Sequence, residues 1–407
     1  MITLSPPKLI IASNPPAIKR KRIESIDLLR GVVMIIMALD HVRDYFHKEA
    51  FLYDPADLSQ THVLLFFTRF ITHYCAPVFV FLAGLSAYLY GLKKTKKQLA
   101  SFLFTRGLWM IFTEIFIMTI GRTFNPSLNF INLQVIWAIG ISMIAMSGLI
   151  FLKRNVILAI GLVFIAMHNL LDNVHVGGNG IGAFVWAVLH EPRDFQFSHY
   201  TVSVFYPVIP WIGIMATGFY FGKFFEASYN GDRKDLLLVV GIISLAVFLH
   251  LRIFNIYGNP TPWFSQKNMA FTLLSLLNVT KYPPSLQYIL VTLGPALIFL
   301  SQAEKPLGRI GEKIAVFGRV PFFYYVAHIY LIHLFATAAA QLSGYNWKYM
   351  ILSNRVNRVP ELKGYGFNLL IVYMVWIALI ILLYPFCKWF DQYKRKHQGE
   401  KWWLSYL

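Results

Sequence analysis

"MIIMALDHVRDYFH", residues 34–47, opens as an apolar helix and then, with no break in the helical pattern, takes in Asp40, His41, Arg43, Asp44 and His47. Ionisable groups at membrane depth are costly, so they are presumptively paired or functional. Whether that depth is real depends on the rest of the chain. Of its 407 residues, 57% are hydrophobic, 16% aromatic and only 14% charged, and the mean hydropathy is +0.54. That composition lies outside the range of soluble globular domains and reads as a polytopic membrane protein.

Lys and Arg number 37 against 19 Asp and Glu, a net charge of +18. The basic residues sit in short clusters between apolar runs, so membrane topology explains them better than a nucleic-acid partner. Cys75 and Cys387 both fall in apolar segments, which indicates neither a disulfide framework nor a thiolate metal site. The stretch "NPPAIKRKRIESIDLLRG" at 14–31 carries a basic cluster before the first apolar run. It is followed by no small-residue cleavage site, so an uncleaved first helix is expected.

Since a span needs about 20 mostly apolar residues, the sequence predicts an all-α bundle of about ten transmembrane helices. They fall near 26–46, 62–92, 100–121, 130–151, 155–171, 202–225, 235–254, 285–303, 314–339 and 366–390. With both termini cytoplasmic, about 22 basic residues lie inside against about 10 outside, as the positive-inside rule expects. The expected organisation is a cytoplasmic tail over 1–22, one transmembrane domain over 23–390 and a second cytoplasmic tail over 391–407. Three long connections, near 172–201, 255–284 and 340–365, then face outward, and residues 268–280 are too short to span. The glycines of "GGNGIG" at 177–182 follow no strand and lack phosphate-loop spacing, so they carry no nucleotide role.

Polar residues inside the spans gather in three places. In the first span Asp40, Asp44 and His47 share a face, and Asp40 can pair with Arg43 at i, i+3; a snorkelling, self-neutralised helix end is the plainer alternative for Arg43 and Asp44. In the second, His62, Arg69 and His73 recur at i, i+7 and i+11, with Pro77 breaking the ladder just beyond. In the ninth, "GRVPFFYYVAHIYLIH" holds Arg319 near one end, Tyr324, Tyr325 and His328 within a turn, and His333 near the other. A Tyr and a His so spaced can share a hydrogen bond that fixes the imidazole tautomer. Glu114, Asn132 and Gln134 could line the same space or serve as interhelical glue.

An imidazole beside a carboxylate in a low-dielectric cavity suits a general base taking a proton from a hydroxyl or amine, or a nucleophile carrying an acyl group. On this reading the candidate catalytic groups are His41, Asp40, His47, His73 and His328. The candidate binding groups are Arg43, Asp44, Arg69, Arg319, Tyr324, Tyr325 and His333. Arg319 and the basic inner loops could hold donor phosphates, and aromatics such as Trp186, Tyr206, Trp211, Trp263 and Tyr282 could stack on sugars. A proton-coupled transporter using the same groups as a relay is the alternative function. Haem or metal binding by His41, His73 and His328 is disfavoured by their mixed depths, and no metal is expected.

Four ordered motifs, "RIESIDLLRGVVMIIMALDHVRDYF", "LFFTRFITHYCAPVFVFLAGLSAYL", "KYPPSLQYILVTLGP" and "GRVPFFYYVAHIYLIH", carry a resemblance. Together they look like the bacterial relatives of the heparan-alpha-glucosaminide N-acetyltransferase catalytic domain, within the transmembrane acyltransferase superfamily. The resemblance implies a multi-pass enzyme of the cell (inner) membrane that takes an acetyl group from cytosolic acetyl-CoA and delivers it across the bilayer to an amino sugar or glycan. Aligned on "SIDLLRG" and "PVFVFLAG", the family's active-site Asn falls at Asp40 and its catalytic His nearest to His47. Depth in the membrane favours His41, and both stand as candidate bases. The oligomeric state is open, a homodimer included.

Overall fold

The computed structural model describes residues 23–229, 231–397 and 400–405. The tail expected over 1–22, with its basic cluster, lies outside the described residues. The first helix, α1 (Glu24–Phe46), is followed by α2 (Val63–Gly91), which tightens into a 3₁₀ turn at Ile71–Tyr74, and by α3 (Lys96–Thr123), which widens into a π turn at Thr113–Met118. Strand β1 (Phe130–Leu133) leads into α4 (Val135–Leu149), α5 (Arg154–Leu171) and α6 (Ile181–Leu189). Strands β2 (Arg193–Phe197) and β3 (Tyr200–Val204) precede α7 (Ile209–Phe221), α8 (Arg233–Ile253) and the short α9 (Met269–Leu277). The chain ends with α10 (Leu286–Gln302), α11 (Arg309–Arg319), α12 (Pro321–Leu342) and α13 (Leu369–Lys396).

Each of the ten segments expected to span contains a helix, and among the described residues six helices are long and apolar enough to cross a membrane: α2, α3, α5, α8, α12 and α13. The others fall short for visible reasons. α1 has 23 residues but carries Glu24, Asp27, Arg30, Asp40, Arg43 and Asp44, whereas α4 has 15, α7 has 13 and α10 has 17 residues. The most apolar windows of α8 and α13 are only 22% buried within the protein. Apolar surface left uncovered on that scale needs lipid to cover it.

The structure is mostly helical, as an all-α membrane protein should be, and three expected boundaries require correction. β1, β3 and β2 form a small three-stranded sheet in that order, β1 parallel and β2 antiparallel to β3. Residues 130–133 and 202–204, read as the beginnings of spans, are therefore strands. The alternation and β-branched residues of "YTVSV" favour an extended pleat, and Ser198, at φ 51°, turns the β2–β3 hairpin. The ninth segment is also two helices. Val320 leaves helical geometry (φ −127°, ψ 49°), and Pro321, which has no N–H to continue the ladder, starts α12. The last helix continues to Lys396, past the boundary expected at 390.

α1 packs against α11, α12, α13 and α2. Its crossing with α11 is very close: a Cβ added to Gly31 would lie 2.2 Å from the Ile314 carbonyl oxygen, and one added to Gly318 would lie 1.9 Å from that of Asp27. Only glycine allows the backbones this near, the means by which helices associate without a hydrophobic driving force. The crossing also sets Arg30, whose Nη1 donates to the Gly318 carbonyl at 3.0 Å while Nη2 donates to Ser86 Oγ on α2 at 3.0 Å. At the far end of α1, backbone bonds Phe367 N to Phe46 O (2.6 Å) and Lys48 N to Phe367 O (3.0 Å) tie it to the start of α13.

The substitution Gly318→Val is therefore expected to cost at least the upper end of the about 1–3 kcal/mol typical of overpacking. A large fall in the midpoint of thermal unfolding of the purified protein would register it, and an unchanged midpoint would show that the two backbones can part freely.

Candidate active site

Two cavities enter the bundle from opposite ends of α1. One, of about 320 Å³, lies at its C-terminal end and is lined among others by Asp40, His41, Arg69, Arg122, Lys281 and Tyr282. The other, of about 360 Å³, lies at its N-terminal end and is lined among others by Arg30, Tyr90, Phe102, Arg106, Arg319 and Lys394. Phe79, Val135 and Tyr325 line both, so three side chains form a shared wall.

Asp40 is held by two helices at once. Arg69 on α2 grips its carboxylate oxygens at 3.0 and 2.8 Å, Thr72 Oγ1 donates to it at 3.0 Å, and Arg43 Nη2 lies 2.8 Å away, one turn along α1. Arg43 also reaches Asp44 at 2.6 Å. The i, i+3 pairing of Asp40 with Arg43 is thus present. The carboxylate's bonds, however, go to arginines and a hydroxyl, so Asp40 balances charge and does not orient the neighbouring imidazole.

His41 lines the cavity with its ring centroid 5.3 Å from that of His328 on α12. His328 Nδ1 is 2.9 Å from the Tyr324 carbonyl. A carbonyl only accepts, so Nδ1 carries the proton and Nε2, buried and without a hydrogen-bond partner among the described residues, is the basic nitrogen. The tautomer is therefore set by a backbone carbonyl and not by a tyrosine hydroxyl. Tyr324 stacks on His328 at 5.1 Å, and Tyr325 meets it edge-on at 5.5 Å.

A second charged chain supports Tyr325. Glu114 is fully buried in the π turn of α3, a kind of helix defect frequent at functional sites. It pairs with Arg122 at 2.5 Å and accepts a bond from Trp137 N at 3.1 Å. Arg122 Nη2 in turn donates to the Tyr325 hydroxyl oxygen at 2.9 Å, and its carbonyl accepts from Tyr45. With its oxygen occupied by the guanidinium, the Tyr325 O–H remains available as a donor at the shared wall.

The remaining candidates divide by location. Arg43, Asp44, Asn132 and Gln134 line the Asp40 cavity, as do Tyr206 and Tyr282, whose rings lie 5.2 Å apart. Arg319 lines the Arg30 cavity, within 4 Å of Asp27 and Asp391. Five candidates lie outside both cavities, His328 beside His41 among them. His47 is a buried cap whose Nδ1 accepts from Glu49 N, and burial pushes its pKa down to about 4, leaving it neutral. His73 is buried against Tyr288 (5.4 Å) and Phe70 (5.8 Å), with the Tyr288 hydroxyl bonded to its carbonyl. His333 places its ring nitrogens 3.0 and 2.9 Å from the carbonyls of Gly121 and Met350 and stacks on Phe124, so it staples α3 to the loop after α12. Tyr324 is packed between Phe317 and His328. Of the other aromatics, Trp211 is fully buried in the core, and Trp186 and Trp263 line neither cavity.

Sequence reasoning passed over Arg122, Lys281 and Arg355. Lys281, 8% exposed, makes no hydrogen bond or ion pair with the described residues, and its Nζ lies 5.2 Å from the Tyr282 ring. Burial alone would raise the pKa of the Tyr282 hydroxyl; Lys281 and Arg69 outweigh it and hold that pKa below an ordinary tyrosine's. Arg355 reaches the rim by binding Asp194 (3.0 Å) and Ser203 (2.7 Å).

The family model described as heparan-alpha-glucosaminide N-acetyltransferase, catalytic, matches residues 22–253, more than half of the chain. The chain belongs to that family. No curated protein matches it. The matched stretch of this heparan-alpha-glucosaminide N-acetyltransferase relative runs from α1 through α8 and includes Asp40, His41, Arg69, Glu114 and Arg122. His328, Tyr325 and Arg319 lie beyond it. Membership indicates an acetyltransferase-type enzyme, in keeping with the membrane-spanning helices.

Breaking a fully buried ion pair costs about 3–5 kcal/mol because the surviving partner keeps an uncompensated charge, and the part-buried Asp40–Arg69 pair should cost somewhat less. Asp40→Ala is accordingly expected to lower the unfolding midpoint sharply, and the double variant Asp40→Ala/Arg69→Met to recover most of that loss. Additive losses in the thermal melts of the single and double variants would show that the two residues do not act as a pair.

Proposed function

We propose that the protein transfers an acetyl group from cytosolic acetyl-CoA, held in the Arg30 cavity, to an amino sugar or glycan in the Asp40 cavity, with His41 as general base. The observation that carries this reading is the wall that the two cavities share at Phe79, Val135 and Tyr325. A donor entering from one side and an acceptor from the other can meet there without either molecule crossing.

The donor side has the chemistry for a nucleotide thioester. Arg30, Arg106, Arg319 and Lys394 supply cations for phosphates, and Tyr90 and Phe102, stacked at 4.2 Å, offer faces for an adenine. On the acceptor side, His41 takes the proton as the sugar nitrogen or oxygen attacks the thioester carbonyl. The negative charge then developing on the carbonyl oxygen meets the Tyr325 O–H, polarised by Arg122; on collapse the C–S bond breaks, CoA leaves toward the donor side as thiolate, and the proton held by His41 is released to it or to water. His328 packs beside His41 and limits where its ring can turn.

In this reading the chain crosses the cytoplasmic membrane about ten times as one domain over 23–390, with both termini in the cytoplasm. The shorter helices α4, α7 and α10 cross with their flanking segments, and α1 crosses because its charges are paired. A homodimer is compatible with it.

Thiol release from acetyl-CoA by purified protein, dependent on a glucosamine-type acceptor, is the direct test. His41→Ala is expected to lower kcat at least about 100-fold, while His47→Ala and His73→Ala, outside both cavities, leave most of it. Full turnover by His41→Ala would overturn the assignment of the base, and loss in His47→Ala alone would move it there. Counterflow of glycan in vesicles lacking acetyl-CoA would mark a transporter instead.

Removing one stabilising donor from an oxyanion site costs about 100–1000-fold in kcat. Tyr325→Phe should show a loss of that order with little change in the KM for acetyl-CoA, and steady-state kinetics would separate the two effects. A kcat within a factor of two of the parent would remove Tyr325 from the reaction.

A further inference from the structure

Away from both cavities, where α5 ends and α6 is capped, two histidines and an aspartate come together. His168 opens the 3₁₀ turn that finishes α5, Asp172 follows that turn, and His190 caps the C-terminus of α6. Both imidazoles are only 2% exposed. His190 Nε2 lies 3.0 Å from Asp172 Oδ1, the His168 and His190 ring centroids are 5.6 Å apart, and one donor atom from each of the three residues lies within 4.8 Å of the others.

The hydrogen bonding of this cluster is incomplete. His168 has only a loose hydrogen bond to the backbone of Pro284 and neither of its ring nitrogens is satisfied at full hydrogen-bond geometry, while His190 Nδ1 has no partner among the described residues. A buried polar atom left unsatisfied costs about 1–3 kcal/mol; the His–Asp hydrogen bond accounts for His190 Nε2 and Asp172, and the Pro284 backbone can occupy only one of the two His168 ring nitrogens, which leaves the other and His190 Nδ1 to a ligand. Asp172 is itself steadied by Asn169 Nδ2, which donates to Oδ2 at 2.9 Å, the outer support that metal-binding carboxylates commonly have.

We propose that His168, Asp172 and His190 bind a divalent transition metal, with zinc the ion their donors suit best. Two imidazoles and one carboxylate form a recurrent zinc ligand set with a fourth position for water. Tetrahedral zinc with bonds of about 2.0–2.2 Å sets its donors roughly 3.3–3.6 Å apart, so the His168 ring closes on the other two with a shift of about 1 Å. Asp172, 18% exposed at its side chain, gives the ion a way in from the surface. The site has a structural part to play. Asn169 Oδ1 accepts from the backbone N–H of Leu286 at 2.9 Å, so the turn holding His168 is bonded directly to the segment that carries Lys281 and Tyr282 into the Asp40 cavity. A bound ion would clamp α5, α6 and that segment together. This departs from the sequence-based expectation that no metal is needed.

The test uses the full chain, purified in detergent, stripped with chelator and exchanged into metal-free buffer. Zinc added back is expected to bind at one ion per chain by elemental analysis and to raise the unfolding midpoint. Cobalt in its place is expected to give visible ligand-field bands of a low-symmetry four-coordinate site. His168→Gln should lose the stoichiometric ion, the bands and the stabilisation, while His250→Gln, on α8, keeps all three. Should His168→Gln fail to fold, the cobalt spectrum and zinc stoichiometry of the parent, compared with the milder Asp172→Asn, decide the matter. Absence of stoichiometric zinc in the parent, or equal zinc binding by parent and His168→Gln, would overturn the proposal. None of these readouts depends on acetyl transfer.

Discussion

The carboxylate of Asp40 lies between the guanidinium groups of Arg69 and Arg43, and the Asp40 cavity exists in its present form because of that arrangement. It joins α1 to α2, offsets two cations that would otherwise be untenable inside a bilayer, and leaves His41 facing open volume. Asp44 completes the balance with Arg43, and Glu114 does the same for Arg122 on α3. Lys281 is the cavity-lining cation left without an ion pair among the described residues. The cavity is therefore polar yet close to neutral, a setting in which an uncharged imidazole can act as a base at modest cost.

The helices obtain their positions from unusually local backbone features. Gly31 and Gly318 let α1 and α11 approach until little more than backbone separates them, which sets Arg30 and Arg319 at the entrance of the second cavity. The π turn in α3 redirects Glu114 and the following Arg122 toward α12. The break at Val320 lets α12 leave α11 at a new angle, carrying Tyr325 to the wall and His328 against His41. Each device is small, and together they aim side chains from α1, α3 and α12 at one point.

Much of this was legible in the sequence. The run at 34–47 announced buried charge at the end of a helix, its internal Asp40–Arg43 spacing was visible as i, i+3, and ten helical segments were located by apolar length. What could not be read was partnership across long separations. Asp40 and Arg69 lie 29 positions apart on different helices, and no local pattern says that Arg69 turns toward Asp40 while His73, four residues on, turns away into the core. Lys281 and Arg355 sit in loops, where periodicity carries no signal. The short strands were hidden by the apolar residues they share with neighbouring spans, and His333 resembled a site residue because a buried imidazole looks the same in sequence whether it serves chemistry or staples two carbonyls.

The wall formed by Phe79, Val135 and Tyr325 has an electrical consequence. With the proposed topology, two cavities that meet back to back would thin the insulating layer, so in an energised bilayer most of the voltage would fall across a few side chains. Moving one unit charge through such a drop involves about 2.3 kcal/mol per 100 mV. The neutral acetyl group of the proposed transfer would cross this short distance without electrical work. A protonated base or an ion would not, and the apolar faces of Phe79 and Val135 are where leakage of charge is resisted.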